Sequence, residues 1–279
     1  MNLYDQLRAL QTLDHAYTEW TQYREDLTDT IIQYAKGSKK VAIFGAGPCN
    51  DIDLNKLVGV FEEIILLDKD VQAMKKGIKQ QNVKKESAIQ LHRIDLVGIE
   101  DEDYRSYAAC LIREIRKKGM KTDIHEFAEF ALEQLACLFQ KAMQTPLSFE
   151  TLSYETAVVV GLHSQLLSML EWIWSIMLQT IQQDEISVRN RIIEMNEVFV
   201  KRLNDVIIEG TTHNMIIGCE KARKRRVGTI QGAIQALDDV QKRQEEGTLH
   251  LCAKSELSWP FHKAKGIEYE MVIQSLKKS

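Results

Sequence analysis

Proline is scarce in this chain: three residues in 279, with no stretch rich in glycine, serine or proline that would act as a linker. Disorder is therefore expected only at the two ends and near Lys221–Arg226. The five cysteines (Cys49, Cys110, Cys137, Cys219 and Cys252) are scattered, odd in number and never spaced as CxxC. That pattern speaks against a disulfide frame or a zinc site and for reduced thiols in a cytoplasmic protein. A long apolar run is also missing. The amino-terminal segment carries acids and aromatics and lacks the apolar centre of a signal peptide. Val158–Leu178 approaches a membrane span, but His163, Gln165 and Glu171 interrupt it. A buried strand running into a buried helix explains it better. Nor is there an excess of either charge. The formal net charge is −4, so bulk electrostatics give no reason to expect nucleic acid or an anionic membrane as partner.

What is present reads as a soluble globular protein, with 44% apolar and 27% charged residues. A chain of this length buries about three quarters of its unfolded surface and needs no staple. Residues 2–36 carry a helical stripe, with Leu3, Leu10, Tyr17 and Ile31 at one heptad position and Leu13, Trp20, Leu27 and Tyr34 at the other. A new cap at Asp26 and Thr28 would split it into two helices, and Arg24 interrupts it. The stripe is expected to pack on the chain's own core; the alternative is a homodimer seam.

After Gly37 the texture changes to short apolar runs alternating with helical patterns. Val41–Phe44 and Ile64–Leu67 read as buried parallel strands and Ile89–Ile94 as a third strand, with helices at Asp51–Phe61 and Val71–Gln81. Asp103–Lys118 and Asp123–Met143 are two helices where a minimal crossover needs one, hence an insertion at about 101–150. Ala157–Val160 and Asn214–Gly218 are the fourth and fifth strands, with helices at Gln165–Gln182, Val188–Val206 and Thr229–Glu246. Thr248–Ala253 and Glu268–Leu276 are close enough in sequence to pair antiparallel. The expected fold is α/β: a mostly parallel, Rossmann-like seven-stranded sheet with helices on both faces and a C-terminal antiparallel strand pair. The expected divisions are an N-terminal helical cap at 1–38 and an α/β domain at 39–279 that carries the insertion.

The strongest local signal is Phe44-Gly45-Ala46-Gly47-Pro48-Cys49-Asn50-Asp51, between a strand and a helix. Glycine lets the backbone turn sharply and approach a ligand. Asp68 ends the next strand, where a carboxylate can accept both hydroxyls of a ribose. Together they predict a nucleoside-bearing cofactor. The dinucleotide fingerprint wants a third glycine three residues after the second, and Asn50 stands there. A second acid, Asp95, ends the third strand.

These residues resemble the class I S-adenosylmethionine-dependent methyltransferase family. Val41–Asp51 looks like its first motif, Leu66–Asp70 like its acidic loop and Arg93–Leu96 like its adenine-contacting segment. The resemblance implies S-adenosylmethionine as cofactor. It sets the Gly45–Ala46–Gly47 backbone against the methionine part, Asp68 with its neighbour Lys69 at the ribose, and Asp95 with the Leu96 amide at adenine. Gly161, at the exit of the fourth strand, completes the cofactor set. The chain departs from the family pattern in the 101–150 insertion. It also lacks an Asn-Pro-Pro-Tyr type motif after the fourth strand, which lowers the case for adenine or glutamine methylation.

Ligands of doubly wound sheets sit outside the carboxyl ends of the strands. Two residues there are candidates for catalysis. His163, in Gly161-Leu162-His163-Ser164, is a general base or polar wall, or else a capping histidine. Glu220 follows Cys219, where it would hold a cationic acceptor or orient a hydroxyl, or stand as a solvated acid. Ser164 is a helix-cap candidate. His213 opens the fifth strand and lies at the wrong edge for chemistry. The basic run Lys221–Arg226 would read a phosphate or carboxylate on the acceptor, or compensate nearby acids. Trp259-Pro260-Phe261-His262, placed in the loop before the last strand, would stack on a planar substrate or close the core. Tyr17, Trp20 and Tyr23 are candidates for a lid. The expected activity is methyl transfer to a small molecule, possibly an anionic one. An NAD(P)-linked oxidoreductase and a non-catalytic methyltransferase-like scaffold are the alternatives.

Overall fold

Short aliphatic and β-branched runs become the strands of one sheet. A computed structural model of the chain describes residues 2–11, 13–119, 122–147, 149, 152–223 and 230–279, with Arg223 through its backbone alone. Among these residues the strands are β1 (Lys40–Phe44), β2 (Glu63–Asp68), β3 (Ile89–Arg93), β4 (Tyr154–Val160), β5 (Thr211–Arg223), β6 (Leu249–His262) and β7 (Ile267–Lys278). Their order is β3-β2-β1-β4-β5-β7-β6. The first five are parallel, and β7 runs antiparallel between β5 and β6. Val41–Phe44, Ile64–Leu67 and Ala157–Val159 are buried at every position. Consecutive burial means that both faces of the central strands are covered.

The chain divides into two compact units. The sheet lies in the unit made of Asp14–Ile94, Ser148–Ser164 and Val200–Ser279. Its helices are α2 (Ala16–Glu19), α3 (Thr21–Tyr34), α4 (Leu54–Val60), α5 (Val71–Gln80), α10 (Gln231–Glu245) and the second half of α9 (Ser187–Gly210). The other unit comprises Met1–Leu13, Asp95–Leu147 and Gln165–Phe199. It holds α1 (Leu3–Leu10), α6 (Asp101–Lys118), α7 (Ile124–Gln144), α8 (Ser168–Ile181) and the first half of α9. Its core includes Leu111, Phe127, Leu135 and Ile173, with the Phe127 ring stacked on Trp174 at 5.3 Å. Tyr4 of α1 stacks on Tyr104 of α6 at 5.4 Å.

Three elements differ from the sequence expectation. The amino-terminal helix breaks before Ala16 and again at Trp20, not at Asp26 and Thr28. Thr28 stays helical because its hydroxyl donates to the Arg24 carbonyl at 2.6 Å and accepts from the Asp53 amide at 2.8 Å. Arg24 does not interrupt packing: it is buried, and its guanidinium donates to the carbonyls of Tyr17 and Asn50. Second, β5 continues to Arg223, beyond Gly218. Antiparallel pairing with β7 supplies backbone partners there, although the side chains are polar. Lys221–Arg223 is therefore strand, and residues 224–226 of the basic run lie outside the described residues. Third, Trp259–His262 belongs to β6 and not to a loop. Pro260 sits where the pairing with β7 changes register between Trp259 and His262, a position that suits a residue with no amide hydrogen.

Candidate cofactor and acceptor site

The turn after β1 is built by conformation and by backbone bonds. Gly45 and Gly47 have φ of +70° and +48°, a region costly to other residues. The Gly45 and Ala46 amides donate to the Leu67 carbonyl at 2.8 and 3.2 Å, and the Gly47 amide to the Asp68 carboxylate at 2.8 Å. Asp68 also accepts from the Asp70 amide at 2.7 Å. Its carboxylate is thus aimed at the glycine turn from the tip of β2, partly exposed, with Lys69 beside it. A Cβ on Gly47 would meet nothing closer than 4.0 Å, so the backbone there is open to a ligand.

Residues to which the sequence assigned no role in the site hold this turn. Gln81, just past α5, accepts from the Leu54 amide and donates to the carbonyls of Cys49 and Ile52, at 2.8, 2.8 and 3.0 Å. Gly77 of α5 lets the helix lie against the turn: a Cβ there would stand 2.3 Å from the Pro48 carbonyl oxygen. Arg24 bonds the Asn50 carbonyl at 3.0 Å. A lone glutamine and a mid-helix glycine carry no motif, so only the tertiary contacts reveal them. Cys49 is buried, and burial raises its thiol well above its ordinary range, as expected of an inert cysteine.

The helix after the turn starts later than expected, at Leu54. Asp53 caps it by accepting from the Lys56 amide at 3.0 Å. The amides of Asp53, Leu54 and Lys56 are therefore bonded by Thr28, Gln81 and Asp53 respectively. A pyrophosphate would find these amides engaged and a carboxylate at the helix start. An adenosyl ligand without phosphate suits the turn better.

At the neighbouring strand ends, Glu220 of β5 is 3% exposed. Its Oε1 accepts from the Ser164 hydroxyl at 2.8 Å, while Oε2 is buried without a hydrogen-bond partner. Desolvation raises this carboxyl above its usual range, against weaker opposing effects of the bonds from Ser164 and its own backbone. Tyr23 of α3 is also buried with an unpartnered hydroxyl, and the charges of Asp51 and Glu220 both act on it. Trp259 stacks on Tyr23 at 5.5 Å and 16°, with its indole N–H unpartnered. The same indole lies against Gly161, where a Cβ would come within 3.1 Å of it. Trp20 meets Trp259 edge-on at 5.0 Å and donates its N–H to the Phe261 carbonyl at 3.2 Å. Gly161, Glu220, Ser164, Tyr23 and Trp259 are thus brought together.

His163 is turned the other way. It is 1% exposed, and its Nε2 lies 2.9 Å from the Asn204 Oδ1. The Asn204 amide group donates to Asp239 at 2.8 Å, which fixes Oδ1 as acceptor and Nε2 as the protonated nitrogen. Nδ1 faces the Cys219 thiol at 4.0 Å. Burial lowers the imidazole pKa, against the smaller raising effects of the Asn204 bond and the Asp239 charge, which favours the neutral ring. This geometry suits a positioning role for the segment that carries Ser164.

Asp95 and Leu96 open the other unit. The Asp95 Oδ1 accepts from the amides of Val97, Gly98 and Ile99 at 2.8, 2.7 and 3.4 Å, a tight carboxylate turn. His213 stands at the amino end of β5, and Lys221 pairs with Glu256 at 3.2 Å.

Strand order decides the fold, because a C-terminal hairpin whose last strand inserts antiparallel beside β5 replaces a second mononucleotide half. The chain has the fold of the class I methyltransferases. Solved structures of this fold resemble it across nearly the whole chain. The N-methyltransferase NodS from Bradyrhizobium japonicum WM9, in complex with S-adenosyl-L-homocysteine, aligns over 100% of this chain and 99% of its own, at 10% identity and a TM-score of 0.48. Magnesium protoporphyrin IX methyltransferase (ChlM) from Synechocystis PCC 6803, with bound SAM, aligns over 96% and 86%, at 9% identity and a TM-score of 0.47. No protein-family model matches the chain, and no curated protein matches it in sequence.

Proposed function

We propose that this protein is an S-adenosylmethionine-dependent methyltransferase acting on a small molecule. The observation that carries the reading is the pairing, within one unit, of two structures. One is a glycine turn tied to the Asp68 carboxylate; the other is a buried acid with an unpartnered oxygen at the neighbouring strand ends. Gly45, Ala46, Gly47, Asp68 and Lys69 would hold the cofactor, with Gly161 beside them. When bound, the cofactor supplies a methyl group on a positively charged sulfur.

The chain's own residues bind, orient and take the proton. Asp68 can accept from several donors at once, as a ribose diol requires. Ser164 holds one oxygen of Glu220 and leaves the other facing the acceptor. Glu220, its carboxyl pKa raised by burial, is the proton acceptor for the attacking group. Placing the nucleophile in line with the methyl carbon can supply on the order of 7–11 kcal/mol of the barrier.

The engaged amides at the start of α4 speak against the NAD(P)-linked alternative. Thermal-shift measurement of the full chain with S-adenosylhomocysteine and, separately, with NAD tests the choice. Stabilisation by the former alone is expected; stabilisation by NAD alone would reject the reading.

A further inference from the structure

We infer that the acceptor is an amine, bound as its ammonium against the carboxylate of Glu220. The inference rests on the methyltransferase reading and narrows its acceptor to one chemical class. Three polar atoms at the site are buried without partners: Glu220 Oε2, Tyr23 Oη and Trp259 Nε1. Buried polar groups are nearly always paired, and leaving one unpaired is costly. Two of them, Glu220 Oε2 and Tyr23 Oη, can each accept from one donor ligand, and so mark a place where such a ligand completes the bonding.

Their chemistry specifies that ligand. Glu220 Oε2 calls for a hydrogen-bond donor, which an ammonium supplies; Trp259 Nε1 can only donate and takes no hydrogen bond from an ammonium, so the indole contributes through its ring. Tyr23 does either, and its hydroxyl feels the negative charges of both Asp51 and Glu220. Arg24 is the cation that acts on Asp51, and its guanidinium is bonded to the carbonyls of Tyr17 and Asn50 and lies over the Tyr17 ring at 3.9 Å. The balance of charge around the Tyr23 hydroxyl therefore favours a cation, and an anionic acceptor would be repelled. The aromatic side chains of Trp20, Tyr23, Trp259 and Phe261 form the surrounding wall, a surface that favours an organic ammonium over a hydrated metal ion.

The step balances. The ammonium gives one proton to the Glu220 carboxylate, which frees a nitrogen lone pair. That lone pair forms the new bond to the methyl carbon as the carbon–sulfur bond breaks and its electrons stay on sulfur. The methylated amine carries the positive charge that the sulfur loses, and Glu220 returns its proton to water.

The test uses the full chain in calorimetric titrations with phenethylamine, cyclohexylamine and putrescine. Each is compared with its matched alcohol (phenylethanol, cyclohexanol, butanediol), and hydrocinnamate serves as the carboxylate. All are run with and without saturating S-adenosylhomocysteine, whose own binding is measured first. At least one amine is expected to bind tenfold or more tightly than its alcohol, with hydrocinnamate weakest. Glu220→Gln should erase that preference, and Tyr23→Phe, which keeps the ring stack, should reduce it. Equal or tighter binding of alcohols or carboxylate, or no binding by any of the amines, overturns the inference. If S-adenosylhomocysteine binds in that case, the methyltransferase reading stands without it. If S-adenosylhomocysteine fails to bind while an amine does, the reading fails and the amine site stands.

Discussion

At the scale of single residues, burial of acids is the dominant physical theme. In the proposed role Glu220 takes a proton only when ionised, and its raised pKa moves that requirement upward in pH. Methyl transfer should therefore rise with pH along an acidic limb set by this group. Glu220→Gln should lower kcat by about 100-fold or more, within the range typical for loss of a general base, and remove that limb. An unchanged pH profile in the variant would show that another group takes the proton.

Asp51 gives a stability prediction. Desolvation raises it from 3.8 to about 6, opposed by its own backbone bond and by Arg24. Between pH about 4 and 6 the folded state keeps a proton that the unfolded chain releases, so this carboxyl lowers stability as pH rises through the window. The groups facing it are Tyr23, Arg24 and Cys49. The Tm of Asp51→Asn minus that of the wild type should grow from pH 4 to pH 6 and level off above. A difference that does not vary with pH would contradict this. None of these energies is visible in sequence. Glu220 was legible as a candidate by its place after the fifth strand, whereas the burial that gives it chemistry depends on Ser164, Tyr23 and Trp259 arriving from other elements. Only its position could be read, not its environment. His163 shows the opposite outcome of the same limit: its strand-end position was legible, but the direction of its ring is set by Asn204 and Asp239.

At the scale of elements, the decisive unit is β1, the glycine turn and α5. Gly77→Ala would place a Cβ against the Pro48 carbonyl, a backbone atom that cannot step aside alone. The substitution should cost about 1–3 kcal/mol of stability by overpacking and weaken S-adenosylhomocysteine binding through displacement of the turn. Gln81→Ala strands the Leu54 amide and two carbonyls. It should cost roughly 3 kcal/mol, since each stranded group costs on the order of 1–3 kcal/mol. Denaturant unfolding measures both, and wild-type stability in either would refute the contact it tests.

The central parallel strands β1, β2 and β4 were legible because buried strands read as continuous apolar runs; β3, at the sheet edge, is only partly buried. The extensions of β5, β6 and β7 were not legible, since an antiparallel edge carries polar side chains such as Lys254, Glu256 and Ser258 on a backbone paired all the same. The amino-terminal helix boundaries were misplaced because Thr28 and Arg24 look like breakers until their partners are present.

At the scale of the whole molecule, no helix among the described residues is long and apolar enough to cross a membrane. The alternation of strand and helix fixes a doubly wound sheet, and the C-terminal hairpin makes it the methyltransferase version of that sheet. Shared by many activities, such a fold leaves the function to its site. The central claim is that the glycine turn and Asp68 grip an adenosyl ligand. The direct measurement is calorimetric titration of S-adenosylhomocysteine into the full chain and into Asp68→Ala. The account predicts one site per chain in the wild type and binding weakened at least tenfold in the variant. Equal affinity in both proteins, or no binding to either, would contradict it.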